Sequence, residues 1–276
     1  MRATSDPLPL IRPVAIITAM NQVTYIGHAT VLIEIDGVRL LTDPLLTNRV
    51  SHLLRTSAVS DVDAPHLDAV LLSHLHADHL HLRSMRRLGK EQRIIAPRGS
   101  AAWLARHGFR RVTEIGAGEV VRVAGIDIEA TPANHPSRTL PGRPRTACLG
   151  YLIHGRRDIY FTGDTDLFDG MAAIGEHVDV ALLPVWGWGP TLGAGHLDPW
   201  RAARALELLR PSLAIPIHWG TYFPAGLRPL LPGMLSRPPY EFAAYAGRMT
   251  PEVQVCVLDP GDALNLTAFY RQMGRA

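Results

Sequence analysis

Three histidines and an aspartate, His74, His76, Asp78 and His79, fall within six consecutive positions directly behind the apolar run 69–72. Imidazole nitrogens and carboxylate oxygens are ligands for zinc and its neighbours in the first transition series, and the same side chains make a poor core. The cluster therefore reads as metal ligands. Three further residues stand in like contexts: His135 beyond the apolar run 126–130, Asp164 beyond 158–162 and His218 beyond 213–217. Rigid strand ends, where loops gather at one sheet edge, commonly build concave sites. Any one of these residues alone would pass as a loop side chain bonded to backbone; the whole set in matching positions would not. His52, His66, His81, His107, His154 and His177 lie in polar or helical surroundings and read as surface residues.

The elements that must position these ligands follow from periodicity. β-rich runs at 22–26, 30–35 and 38–42 open the chain, the last two joined by Asp36-Gly37, a strong two-residue hairpin signal. Residues 48–65 read as a loop, and 69–72 as the buried strand that delivers the histidines. Helices are expected over 79–88, 100–107, 199–210 and 241–249, the second closed by Gly108 and the third with a proline near its start. Further strands are expected at 93–96, 120–123, 126–130, 149–153, 158–162, 180–184, 213–217 and 253–258. No repeat or low-complexity linker interrupts this order. The reading is an N-terminal arm over 1–21 and a single domain over 22–276, with strands in two groups.

A chain of 276 residues with 47% hydrophobic content can bury a large core. A net charge of +3, carried almost entirely by scattered arginines with Lys90 the one lysine, argues against a nucleic-acid or membrane-surface partner. Cys148 and Cys256 have no motif spacing and read as free thiols of a reducing compartment. The apolar stretch 8–20 is broken by Pro9, Arg12 and Pro13, so it is not read as a targeting signal; Met20 offers an alternative start. No run reaches the roughly 18 apolar residues of a membrane span. The expected location is cytoplasmic, the expected partner a small-molecule substrate, and a homo-oligomer stays open.

His-x-His-x-Asp-His at 74–79, with His135, Asp164 and His218 in order and Leu41-Thr42-Asp43-Pro44 ahead of them, resembles the five-motif signature of the metallo-β-lactamase superfamily. The resemblance covers roughly residues 22–260 and implies an α/β fold, a four-layer αββα sandwich of two mixed β-sheets with metals at one edge. A second set narrows the branch: Tyr25-Ile26-Gly27-His28-Ala29-Thr30, Gly195-His196-Leu197-Asp198-Pro199 and Ile217-His218-Trp219-Gly220-Thr221. These are similar to the branch that holds N-acylphosphatidylethanolamine-hydrolysing phospholipase D and ascorbate-6-phosphate lactonase. The substrate of those enzymes does not carry over, because the chain is shorter and the phospholipase's membrane-facing features are not recognisable.

By that resemblance His74, His76 and His135 bind one divalent ion, Asp78, His79 and His218 the other, and Asp164 bridges them. Zinc suits such a site, with manganese or iron as alternatives. The shared water, its pKa lowered toward about 7, becomes the nucleophile, and Asp78 also orients it. Asp43 reads as accepting a hydrogen bond from a ligating imidazole, or equally as a turn residue before Pro44. His196 reads as a substrate contact or general acid, with a surface helix-start residue as the plainer reading. His28 is a weaker candidate for supporting the ligands. Trp186, Trp188, Trp219, Tyr222 and Phe223 either wall a substrate pocket or pack the loops, and Arg138, Arg143 and Arg145 are candidates to receive an anionic group.

The expected function is therefore a metal-dependent hydrolase of a phosphodiester, lactone or related ester. A nuclease of the same fold is the nearest alternative, set back by the modest charge and the lack of room for a large inserted domain. A redox di-iron role is disfavoured because it usually places an acidic residue at the position of His76. A non-catalytic metal-binding module is disfavoured because no ligand is missing.

Overall fold

The computed structural model describes residues 21–58, 66–137, 141–187, 192–227, 229–231 and 233–274. In chain order the elements are β1 (Gln22–Gly27), β2 (Thr30–Ile35), β3 (Val38–Thr42), β4 (Arg49–Val50), β5 (Leu53–Arg55), β6 (Ala69–Leu71), α1 (Leu82–Leu88), β7 (Ile94–Pro97), α2 (Ala101–Arg106), β8 (Val112–Ile115), β9 (Val120–Val123) and β10 (Ile126–Pro132). They continue with β11 (Leu149–His154), β12 (Ile159–Phe161), α3 (Met171–Gly175), β13 (Val180–Pro184), α4 (Pro199–Leu209), β14 (Leu213–Ile217), β15 (Tyr222–Pro224), α5 (Arg237–Met249), β16 (Gln254–Val255), β17 (Ala263–Asn265) and α6 (Leu266–Gln272).

Two seven-stranded mixed sheets form, in the orders β17-β1-β2-β3-β6-β7-β8 and β16-β14-β13-β12-β11-β10-β9, with a small third sheet β15-β5-β4. Each large sheet is antiparallel in one half and parallel in the other. Alternation along the strands decides the layers. Leu40 and Leu71 share a core with Ile128, Tyr151 and Phe161 of the opposite sheet, while Leu41 and Val70 turn outward onto Met85 and Leu88 of α1 and Trp103 and Leu104 of α2. Leu206 of α4 and Phe242 of α5 join the shared core from the far side. The result is the expected αββα sandwich.

Direction matters more than order for the site. β1, β3 and β6 run the same way in the first sheet, and β10, β12, β13 and β14 do so in the second. Their carboxyl ends gather at one edge, where open α/β sheets place their ligands. His28, Asp43, the 74–79 cluster, His135, Asp164 and His218 each follow one of those ends. The two sheets are tied there by Leu149 N donating to Ser73 O at 3.0 Å and Tyr151 Oη donating to Leu72 O at 2.7 Å.

The β2–β3 hairpin turns at Asp36 (φ 51°) and Gly37 (φ 85°), the doubly left-handed geometry that matches strand twist. The helix expected over 79–88 starts only at Leu82. His81 caps it, accepting from Ser84 N, while His79 and Leu80 close a turn onto His76 O. The expected loop 48–65 is not all loop: β5 pairs with β4 on one side and with β15 on the other. The C-terminal helix begins four residues earlier than its period shows, at Arg237, because Pro238 and Pro239 sit in the first turn where missing N–H groups cost nothing. The strand expected over 253–258 shrinks to Gln254–Val255. Short elements without amphipathic length (β8, α3, β17 and α6) carried no readable signal. Cys148 and Cys256 are free. Among the described residues no helix is long and apolar enough to cross a membrane.

Candidate metal centre

Four imidazoles at this edge are each oriented by their outer nitrogen. His79 Nδ1 donates to Asp43 Oδ2 at 2.7 Å, His135 Nδ1 to Gly195 O at 2.7 Å, and His218 Nδ1 to Trp186 O at 2.7 Å. Carboxylate and carbonyl oxygens only accept, so each Nδ1 carries the proton and each Nε2 presents a lone pair inward. His74 follows the same rule through Ser73. Ser73 Oγ donates to Asp43 Oδ2, so it must accept from His74 Nδ1 at 2.9 Å. Asp43 also accepts from Ser73 N at 2.7 Å, so one fully buried carboxylate sets two rings.

The inward atoms crowd together. His79 Nε2 and His218 Nε2 are 3.3 Å apart, each 3.2 Å from an oxygen of Asp164, and His135 Nε2 lies 3.1 Å from His76 Nδ1. Lone pairs facing one another at this range repel unless a cation or proton lies between them. Donors that share a tetrahedral ion at about 2.0–2.1 Å stand about 3.3 Å apart, which is the spacing observed. His74 Nε2 and Asp164 Oδ1 are moreover buried without a hydrogen-bond partner, and orphaned buried polar atoms call for an ion or water. The donors fall into groups that fit this need: His74, His76 and His135 in one, and His28, Asp78, His79 and His218 in another. The residues present fit divalent metal.

Electrostatics agree. Burial pushes His74 and His135 below the usual imidazole range and His218 down to about 3, leaving them neutral and ready to ligate. Burial works the same way on His79, but Asp164, Asp43 and Asp78 together hold it well above that range. Burial pulls Asp78 and Asp164 upward, yet adjacent imidazoles outweigh it, His79 and His28 for one and His218 and His79 for the other, keeping both carboxyls ionised. Asp43, Asp78 and Asp164 all face these rings, so the cavity favours a cation, and one held there would take the place of the extra proton on His79.

His28 lies closer to the centre than sequence reasoning placed it. Its Nε2 is 3.1 Å from Asp78 Oδ2, and its ring sits 3.7 Å, centroid to centroid, from that of His218. His28 (φ 57°), Asp43 (φ 32°) and His218 (φ 67°) all take left-handed backbone at the ends of their strands. Such conformations cost about 1–3 kcal/mol each and persist where a site over-determines them. Gly195 (φ 83°) lets the chain pass so close to His135 that an added Cβ would fall 2.3 Å from Pro136 and 3.1 Å from the His135 Cα. His196 follows it, Nε2 3.6 Å from Asp164 Oδ2 and 29% exposed, its Nδ1 donating to Gly193 O at 3.2 Å, and two residues on Asp198 caps α4 by accepting from Arg201 N. The centre thus has one wet side.

The aromatic wall divides. Trp219 and Tyr222 are buried, with Trp219 Nε1 bonded to Pro216 O and Tyr222 Oη to Thr47 O, so both pack loops and do not face a pocket. Phe223 is buried as well and stacks on Trp186. Trp188 and Arg138 lie outside the described residues. Arg143 is structural: it donates to Leu75 O and Leu80 O and covers the Trp103 ring, bracing the histidine loop. Arg145 is exposed beside His135, on an open cavity of about 390 Å³ that also includes Ser137 and Thr146. Ser73 and the carbonyls of Gly195 and Trp186 escaped the sequence reading, since backbone acceptors leave no trace in residue type.

The chain matches the family described as a beta-lactamase superfamily domain over residues 38–219. A UPF0173 metal-dependent hydrolase from Methanopyrus kandleri is 32% identical over 250 residues, 88% of this chain and 98% of that protein. N-acyl-phosphatidylethanolamine-hydrolyzing phospholipase D 1 of Caenorhabditis elegans is 32% identical over 226 residues, 72% of this chain and 64% of that enzyme. Among solved structures, a metallo hydrolase from Ignicoccus hospitalis superposes with a TM-score of 0.68 at 28% identity, over 88% of this chain and 97% of that one. An isothiocyanate hydrolase from Delia radicum gut bacteria shares the fold at 18% identity, with a TM-score of 0.69 over 88% of this chain and 98% of its own.

Proposed function

Since this chain belongs to the β-lactamase superfamily as a metal-dependent hydrolase, we propose that it cleaves a phosphodiester, lactone or related ester of a small molecule. The carrying observation is the convergence of four Nε2 atoms and two carboxylates on one partly open edge. His74, His76 and His135 would hold one divalent ion, Asp78, His79 and His218 a second, with Asp164 between them; zinc suits this donor set. Divalent metal bound there supplies a water acidic enough to act as nucleophile at neutral pH, and positive charge against the developing oxyanion.

The protein's own residues supply the rest. Asp78, held by His28, orients the attacking water. His196 Nε2 gives its proton to the departing ester oxygen as the P–O or C–O bond breaks, and solvent restores that proton through the exposed edge of the ring. Arg145 receives an anionic group of the substrate beside His135. Metal analysis of purified protein, with hydrolysis assays on bis-p-nitrophenyl phosphate and a lactone panel, tests this reading. Two metals per chain are expected, and Asp78→Ala and His135→Ala should abolish activity. A folded protein that neither retains added metal nor turns over any of these esters would sink the proposal.

A further inference from the structure

A second cavity, of about 400 Å³, lies at the start of α5, lined by none of the candidate metal ligands and reaching toward the centre at Trp186. Its apolar lining is Trp186, Pro199, Leu230, Leu231, Met234 and Pro238. The charged members, Arg237 and Glu241, are exposed, stand one turn apart on α5 and cancel in sign, so the cavity offers no net charge to a ligand. Its size falls in the lower part of the roughly 300–1,000 Å³ range of small-molecule sites.

Two links join the cavity to the centre. Trp186 O accepts from His218 Nδ1, so a single imidazole separates that tryptophan's backbone from the converging Nε2 atoms. Pro199 lies three residues beyond His196, in the first turn of the helix that Asp198 caps, and His196 stands near Asp164. At the mouth stands Leu230, 72% exposed, the most exposed of the large apolar residues described. A lone exposed leucine is ordinary, but Leu230, Leu231 and Met234 line one opening together, and contiguous apolar surface marks binding sites.

We propose that this cavity receives the apolar group of the substrate hydrolysed at the centre, which makes that substrate an ester carrying an uncharged aliphatic or aromatic group of several carbons. The inference rests on the hydrolase reading. A polar or anionic portion would lie on the opposite side, toward His135 and Arg145, so the substrate straddles the centre as an amphiphile.

Calorimetric titration of the metal-loaded protein with n-alkylphosphonates, from methyl to decyl, tests it. Kd should fall roughly three- to fourfold per methylene over the first several carbons and level off once the cavity is full. Met234→Trp, which fills the cavity, and Leu230→Asp, which charges its mouth, should each flatten that dependence. Leu230 is exposed, so its replacement leaves the core intact if Met234→Trp fails to fold. A Kd independent of chain length, or a dependence that survives in Leu230→Asp and in any folded Met234→Trp protein, would overturn the proposal. Loss of the hydrolase reading is separately visible as a lack of turnover of bis-p-nitrophenyl phosphate.

Discussion

His79 Nδ1 stands 2.7 Å from Asp43 Oδ2, both side chains fully buried, although 36 residues separate them in the chain. The same carboxylate reaches His74 through Ser73. One anion at the end of β3 thus aims two imidazoles delivered by β6.

Asp43→Asn replaces an acceptor oxygen with a donor that opposes the His79 N–H. Metal affinity should fall about ten- to a hundredfold, measured by competition with a chromophoric chelator, while circular dichroism shows the fold retained. Unchanged affinity would return Asp43 to the role of a turn residue.

His28 touches Asp78 and lies against His218, two donors of one group. His28→Ala should lower metal content toward about one ion per chain after dialysis, read by elemental analysis, with His28→Gln restoring part of it. Full occupancy in the alanine variant would show that the ring only fills space.

His196 is partly exposed and only its Nε2 faces Asp164. His196→Ala should slow esters with alkoxide leaving groups by about a hundredfold in kcat, and barely affect p-nitrophenolate departure, which needs no proton. Metal content should not change. Equal losses on both substrates would remove the general-acid role.

Metal-free protein should be least stable in acid. The unfolded imidazoles titrate near 6.5, whereas burial holds His74, His135 and His218 lower, His218 at about 3. Below pH 6.5 the unfolded chain therefore binds protons that the fold refuses, so stability falls as pH drops, by up to about 1.4 kcal/mol per pH unit for each group. His79 is shifted upward, so its stabilisation is complete below 6.5 and wanes only as pH rises through its folded pKa. Asp78 and Asp164, both lowered, lose theirs on further acidification below their ordinary range. Thermal melts after chelation should show Tm falling steadily from pH 7 to pH 4. Added zinc at pH 7 should raise Tm by binding the folded state. A flat profile would contradict the burial argument.

Much of the fold was legible because its signals are local. Alternation and a two-residue turn specify the β2–β3 hairpin, and a capping aspartate before a proline specifies the start of α4. β4, β5 and β15 were not legible, since strands of two or three residues have no period and exist only by pairing with one another. Helix starts failed where local bonding overruled period: His79 went to the metal centre and His81 to the cap.

The ligand types, their spacing and their station behind apolar runs are properties of the chain, and they alone pointed to metal. Which nitrogen of each ring turns inward was settled by partners distant along the chain: Asp43 for His79, Gly195 for His135, Trp186 for His218. So was the retreat of Trp219 and Tyr222 into packing and the approach of His28 to Asp78. Residue type states what a side chain can bond. Only the convergence of strand ends at a shared sheet edge decides what stands within reach of it.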